Sequence, residues 1–404
     1  MGHVEYSNEY SQQYINDEAG SHTWVSMSLP SMTLPATALP DERRMLRGSR
    51  PLEELDRPSW KALLLLICLT VLGACAGGDR APVEVGLGKP DTLVRAEGQL
   101  LAHPADLAVD ESGNVYVSDG QAGRVVVIAP ATGTSRFIGR EGRGPGELQQ
   151  PWGLGIAGDT LRVVNTGNLR VEVFTTAGAF VRSDPLSLMA RAAPTDFAAD
   201  GRMAAASYGI QDSALVRVYA RDGTSLTGVG ELLVPPAGGF DVTAIKDAIA
   251  KGDVPEMFRN FTRPRVTPDG GLWAILTAEG AVRRYDTAGR LLWSVPLEAP
   301  ELPRIKQAFF EQGRALADQP ARFTILSYVD DAHVVAGDLW LLLNTPPGEP
   351  SVILVLGDRG ELRRRVVLSG VQEAEALAVD AGRRRLYVTP SGDASLLGFE
   401  LPAW

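Results

Sequence analysis

Cysteine is nearly absent. The 404 residues contain two, Cys68 and Cys75, so no disulfide framework holds this chain together. Histidine is scarce, and only His103 and His333 follow the second cysteine, too few for a histidine-rich zinc site. No apolar run approaches the roughly 20 residues that a membrane-spanning helix needs. The longest, residues 62–74, has 13. A basic excess is also missing: 39 Lys plus Arg face 49 Asp plus Glu, a net charge of −10 that excludes general nucleic-acid binding. G-x-S-x-G, H-E-x-x-H, P-loop and C-x-x-C motifs do not occur. What is plentiful is glycine (43) and proline (27), the mark of a chain with many turns and few long helices.

The 13-residue run has the length of a secretory signal core, with Lys61 just before it. It ends in Leu72-Gly73-Ala74-Cys75, which resembles the lipobox of bacterial lipoproteins. That resemblance implies cleavage before Cys75 and lipidation of its thiol. Ala76 and Gly77 follow, with no Asp directly after the cysteine, which by the same resemblance favours the outer membrane, facing the periplasm or the cell surface. Residues 1–60 carry no core pattern and are expected to be a disordered extension or an unused upstream start, with Met45 offering a signal of ordinary length. The expected organisation is this extension (1–60), a signal core and lipobox (61–75), a tether (76–82) and one folded domain (83–404).

Beyond the tether a unit repeats. Segments 124–133 (RVVVIAPATG), 170–178 (RVEVFTTAG), 215–223 (LVRVYARDG), 281–289 (AVRRYDTAG) and 351–360 (SVILVLGDRG) each read as an alternating strand that ends in a turn glycine. Residues 394–402 (ASLLGFELP) supply a sixth strand of this kind. The glycines from 133 to 178 and from 178 to 223 are 45 apart, then 66 and 71 apart, so two repeats carry insertions. Four short strands at this period predict an all-β, six-bladed β-propeller. The sixth repeat lacks an outer strand, and spare strand-like segments lie near 83–85 and 92–96. One of them is expected to close the ring.

Residues 103–134 (HPADLAVDESGNVYVSDGQAGRVVVIAPATGT) resemble an NHL repeat, as does the junction 137–155 (FIGREGRGPGELQQPWGLG). The later repeats match only in outline. The whole region is similar to bacterial six-bladed propellers with NHL-like repeats, many of them lipoproteins, and the resemblance speaks to fold more than activity.

Both insertions, 235–262 and 298–323, join an outer strand to the next inner strand and therefore share one face. Each predicts a helix: 242–251 capped by Asp241, and 302–316 with Ile305, Phe309 and Leu316 on one stripe. Met257, Phe258 and Phe261 read as exposed or lid-like apolar mass. A protein, peptide or glycan partner on this face is the leading expectation, and no nucleic acid. At the channel mouth, Asp106, Asp119, Asn165, Asp196, Asn344 and Glu375 form a candidate ring of oxygen ligands. That ring suits Ca²⁺ or a cationic ligand, or a water-filled structural channel. The alternative function is a Ca²⁺-dependent hydrolase of the lactonase or esterase type, for which no local motif is present. His103 reads as a turn residue. The runs Arg363-Arg364-Arg365 and Arg383-Arg384-Arg385 read as solvated surface, with acidic glycans or lipid headgroups as the other reading.

Overall fold

The computed structural model describes residues 24–25 and 81–403, apart from 192, 211 and 321. The signal core, the lipobox with Cys75 and nearly all of the extension and tether lie outside the described residues. Trp24–Val25 pairs antiparallel with Arg322–Phe323. The rest is a ring of six blades, each with four antiparallel strands from an inner to an outer one. The inner strands are Pro104–Val109, Pro151–Ala157, Thr195–Phe197, Thr262–Val266, Val329–Val335 and Ala374–Asp380, in blade order.

The predicted turn glycines have the backbone that a tight hairpin requires. Gly133, Gly178, Gly223, Gly289 and Gly360 all lie at positive φ, from 67° to 102°. The alternation read from the third strands is only half the story. In Arg124–Ala129, four consecutive central residues are buried. Glu172, a polar position of the second repeat, is fully buried and accepts from Ser183 Oγ at 2.6 Å. Each blade is stacked between two neighbours, so its middle strands bury both faces. The apolar core is accordingly six separate clusters, one in each gap between adjacent blades.

Closure uses both spare segments differently. Asp91–Val94 pairs antiparallel with Leu396–Glu400 and becomes the outer strand of blade six. Val83–Leu87 instead runs parallel to Leu362–Gln372 as a fifth strand on blade five. The first carries Val94 into the gap between blades six and one, and the second carries Leu87 into the gap between blades five and six.

The insertions form α1 (Val242–Lys251) and α2 (Leu302–Ala315) on the outer-to-inner connections. Asp241 Oδ1 caps α1 by accepting from Ala244 N at 3.0 Å. Phe258 and Phe261, expected as lid-like apolar mass, are buried beneath the helices, and Phe258 packs on Phe309 of α2. Burying their rings in the gap between blades four and five removes more apolar surface from water than a loose lid would. The basic runs are largely paired internally. Arg365 bonds the buried Glu301 at the start of α2, Arg363 bonds Asp338 and Glu361, and Arg385 bonds Asp91.

Candidate functional site

Charged residues at alternate positions of an inner strand share the face that looks into the channel. Arg263 and Arg265 do so on blade four, and Asp331 and His333 on blade five. Asp106 and Asp196 join them from blades one and three. Register irregularities fall beside Asp106 and Asp331, where the pleat is re-aimed before the strand settles.

Three carboxylates follow one rule. Asp106 Oδ2 accepts from Leu154 N of blade two at 2.7 Å. Asp196 Oδ2 accepts from Val266 N of blade four at 2.6 Å, and Asp331 Oδ2 accepts from Leu377 N of blade six at 2.9 Å. Each odd blade is thus clasped to the next even one by a side chain reaching an inner-strand N–H. Arg265 ties the clasps together. Its Nη2 donates to Asp331 Oδ1 at 2.6 Å, its Nε to the Ala332 carbonyl at 2.5 Å, and its Nη1 to the Pro264 carbonyl at 3.0 Å. Arg263 Nη1 approaches the same Asp331 oxygen at 3.5 Å.

The electrostatics follow from this crowding. Burial, with the Asp331 carboxylate adding to it, pushes Asp106 up to about 7, against the pull of Arg265 and two backbone N–H groups. Burial also raises Asp196, opposed by Arg265. Burial opposes the charge on Arg265, but Asp331, Asp196 and Asp106 together hold its guanidinium above its ordinary range. His333 is pushed down to about 4, first by burial and then by Arg265. At neutral pH the channel therefore holds a charged Arg265 bonded to Asp331, a neutral imidazole and, in Asp106, a carboxyl near its midpoint.

Of the residues expected at the mouth, the fold brings Asp106 and Asp196 to this cluster. Asp119 and Asn165 hold loops. Asp119 accepts from Ala102 N at 2.8 Å and His103 N at 2.9 Å, and Asn165 accepts from Gln149 N at 2.7 Å while donating to the Glu147 carbonyl at 2.8 Å. Asn344, just past the second strand of blade five, and Glu375, in the inner strand of blade six, are half-buried. Sequence reasoning passed over Arg263, Arg265 and Asp331, and gave His333 no place. The signal was there: charges two apart (T-R-P-R-V, D-A-H) inside strands whose neighbours are apolar.

Among the described residues, no group of three or more His, Cys, Asp or Glu side chains stands close enough to hold a metal ion. The donor chemistry agrees. Calcium needs six to eight oxygens, whereas both oxygens of Asp106 and of Asp331 are engaged by N–H donors and Arg265 supplies the shared cation. Asp106 and Asp331 are thus committed to N–H donors in this fold. Among the described residues, no helix is long and apolar enough to cross a membrane.

No protein-family model and no curated protein matches this chain. Solved structures do share the fold at low identity. They include a Bacteroides fragilis protein described as exported (10% identity, TM-score 0.49, covering 80% of this chain and 100% of that one). A calcium-binding regucalcin from Agrobacterium tumefaciens is similar at 10% identity and TM-score 0.46, covering 80% and 96%. A gluconolactonase from Xanthomonas campestris is similar at 15% and 0.44, covering 78% and 91%. This chain is a six-bladed β-propeller, and likenesses this distant leave its activity to be argued from its own residues.

Proposed function

We propose that the protein is a lipid-anchored propeller of the bacterial cell envelope, held through Cys75. Its helix-bearing face engages a protein, peptide or glycan. The observation that carries the non-catalytic reading is the clasp pattern: Asp106, Asp196 and Asp331 each bond the next blade, so the channel carboxylates work as fasteners. Support for a binding platform comes from the insertions, which pack on each other. Lys246 Nζ of α1 donates to the carbonyls of Leu316 at 3.0 Å and Ala317 at 3.2 Å, just past the end of α2.

Two experiments test this. Cells fed an alkyne fatty acid should label the wild-type protein and place it in the membrane fraction, and Cys75→Ser should abolish both. Label persisting on the serine variant would sink the anchor. A photo-crosslinker at position 306, exposed on α2, should give a discrete adduct, and one at position 222, in a turn on the opposite face, should not. Adducts from 222 alone would place the partner elsewhere.

A second reading rests on Asp106, whose carboxyl titrates near neutrality as a general acid–base group would. Lactone or ester hydrolysis by the purified protein, abolished in Asp106→Asn, would replace the binding reading.

A further inference from the structure

The turn after α2 ends in a two-residue strand, Arg322–Phe323, whose one strand partner among the described residues is Trp24–Val25. The pairing is antiparallel, with Trp24 opposite Phe323 and Val25 opposite Arg322. Arg322–Phe323 belongs to none of the six blades, so it is an edge presented by the second insertion and not a strand of the ring. Such an edge carries main-chain N–H and C=O groups that a further strand can pair with.

The edge is fastened from below. The Phe323 ring is buried in the gap between blades four and five, 5.7 Å from the Phe240 ring of the other insertion. Lys246 of α1 donates to the Leu316, Ala317 and Gln319 carbonyls, all in the turn that leads into the edge. Within that turn Arg322 N donates to the Gln319 carbonyl at 3.2 Å, and Arg322 Nη1 to Gln319 Oε1 at 3.0 Å. A backbone held at this many points loses little conformational freedom when a peptide pairs with it. Side chains alternate along a strand, so the residues opposite Phe323 and Arg322 stand on opposite faces of the pair.

We propose that this edge is a peptide-binding site: an extended segment of a partner protein adds to Arg322–Phe323 as an antiparallel strand, and Trp24–Val25 is the chain's own stand-in for it. Main-chain pairing supplies the affinity. The side chains opposite Phe323 and Arg322 supply the selectivity, here an aromatic residue followed by a β-branched one. The proposal rests on the helix-bearing face being the binding face, and it narrows the partner from protein, peptide or glycan to an extended peptide. It also draws on the Cys75 reading, in which cleavage before Cys75 removes residues 24–25 and leaves the edge open in the anchored protein.

The test uses the full chain, kept unprocessed by Cys75→Ser, with and without the pair Trp24→Pro and Val25→Pro. The two prolines remove the N–H groups of the chain's own strand and touch nothing in the ring. The probe is a fluorescein-labelled peptide of residues 20–29 (GSHTWVSMSL), followed by fluorescence anisotropy. The proline variant should bind it saturably. The chain with its own segment intact should bind roughly tenfold more weakly or worse, because a tethered competitor acts at about millimolar effective concentration. The same peptide with proline at both central positions should not bind, and a benzophenone in place of Met27 should crosslink to residues 316–324. Equal binding by the two chains overturns the proposal, as do no binding by the proline variant, undiminished binding of the proline peptide, or adducts elsewhere. A cellular adduct from position 306 alongside a proline variant that binds no peptide would keep the binding face and overturn strand addition alone.

Discussion

At the scale of single residues, the channel shows how burial turns ordinary side chains into fasteners. Asp106, Asp196 and Asp331 are short enough to reach the neighbouring inner strand, and their N–H partners lie on inner strands, which are edge strands of their sheets. His333 provides a pH test. It stays neutral in the folded protein down to about pH 4, while in the unfolded chain it takes up a proton near 6.5. Between these values the folded state binds fewer protons, so stability contributed by this group falls as pH falls through the window. The wild type should lose stability relative to His333→Asn between about pH 6.5 and 4, measured by urea unfolding. A difference that does not change with pH would refute the assignment. Asp106 acts in the opposite sense. Raised to about 7, it favours the folded state as pH falls below that value, so the comparison must be made against His333→Asn and not against absolute stability.

At the scale of elements, the insertions are legible helix by helix but not in their mutual packing. The Asp241 cap and the Ile305–Phe309 stripe announce two amphipathic helices. Nothing in the linear pattern says that Gly313 of α2 meets Ile249 of α1, where an added Cβ would fall 2.6 Å from Ile249 Cγ2. Helix propensity alone would make Gly313→Ala stabilising by about 1 kcal/mol. The collision outweighs it, and the expected result is a loss of about 1–3 kcal/mol. Ile249→Ala removes the colliding methyl. The double variant should therefore be more stable than the two single losses add up to, a coupling read by denaturant unfolding. Strict additivity would mean that the helices do not touch there.

At the scale of the whole molecule, a propeller is stable only as a closed ring, since each apolar cluster needs two blades. The two N-terminal strands therefore differ in consequence. A chain beginning at residue 89 loses Val83–Leu87 and the buried Leu87, at a cost of about 2–3 kcal/mol, and should elute as the longer chain does. A chain beginning at residue 96 also loses Asp91–Val94. That exposes the edge of Leu396–Glu400 and opens the gap between blades six and one. It should melt far lower and aggregate through the free edge. Size-exclusion chromatography with thermal melting checks both, and equal behaviour of the two truncations would refute the closure.

Repeat period, turn glycines and a missing last strand are local or periodic properties, which is why the six-bladed ring and the place of both insertions could be read along the chain. Asp106 and Asp196 could be picked out as polar residues entering inner strands. Their roles could not, because a clasp exists only when the N–H of Leu154 or Val266 arrives from another blade. The same holds for Arg265, which reads as a surface charge in T-R-P-R-V until blade five packs against blade four and brings Asp331 to it. Period sets which blades exist. Which charges meet is set by contacts between residues dozens of positions apart, and those exist only once neighbouring blades have packed.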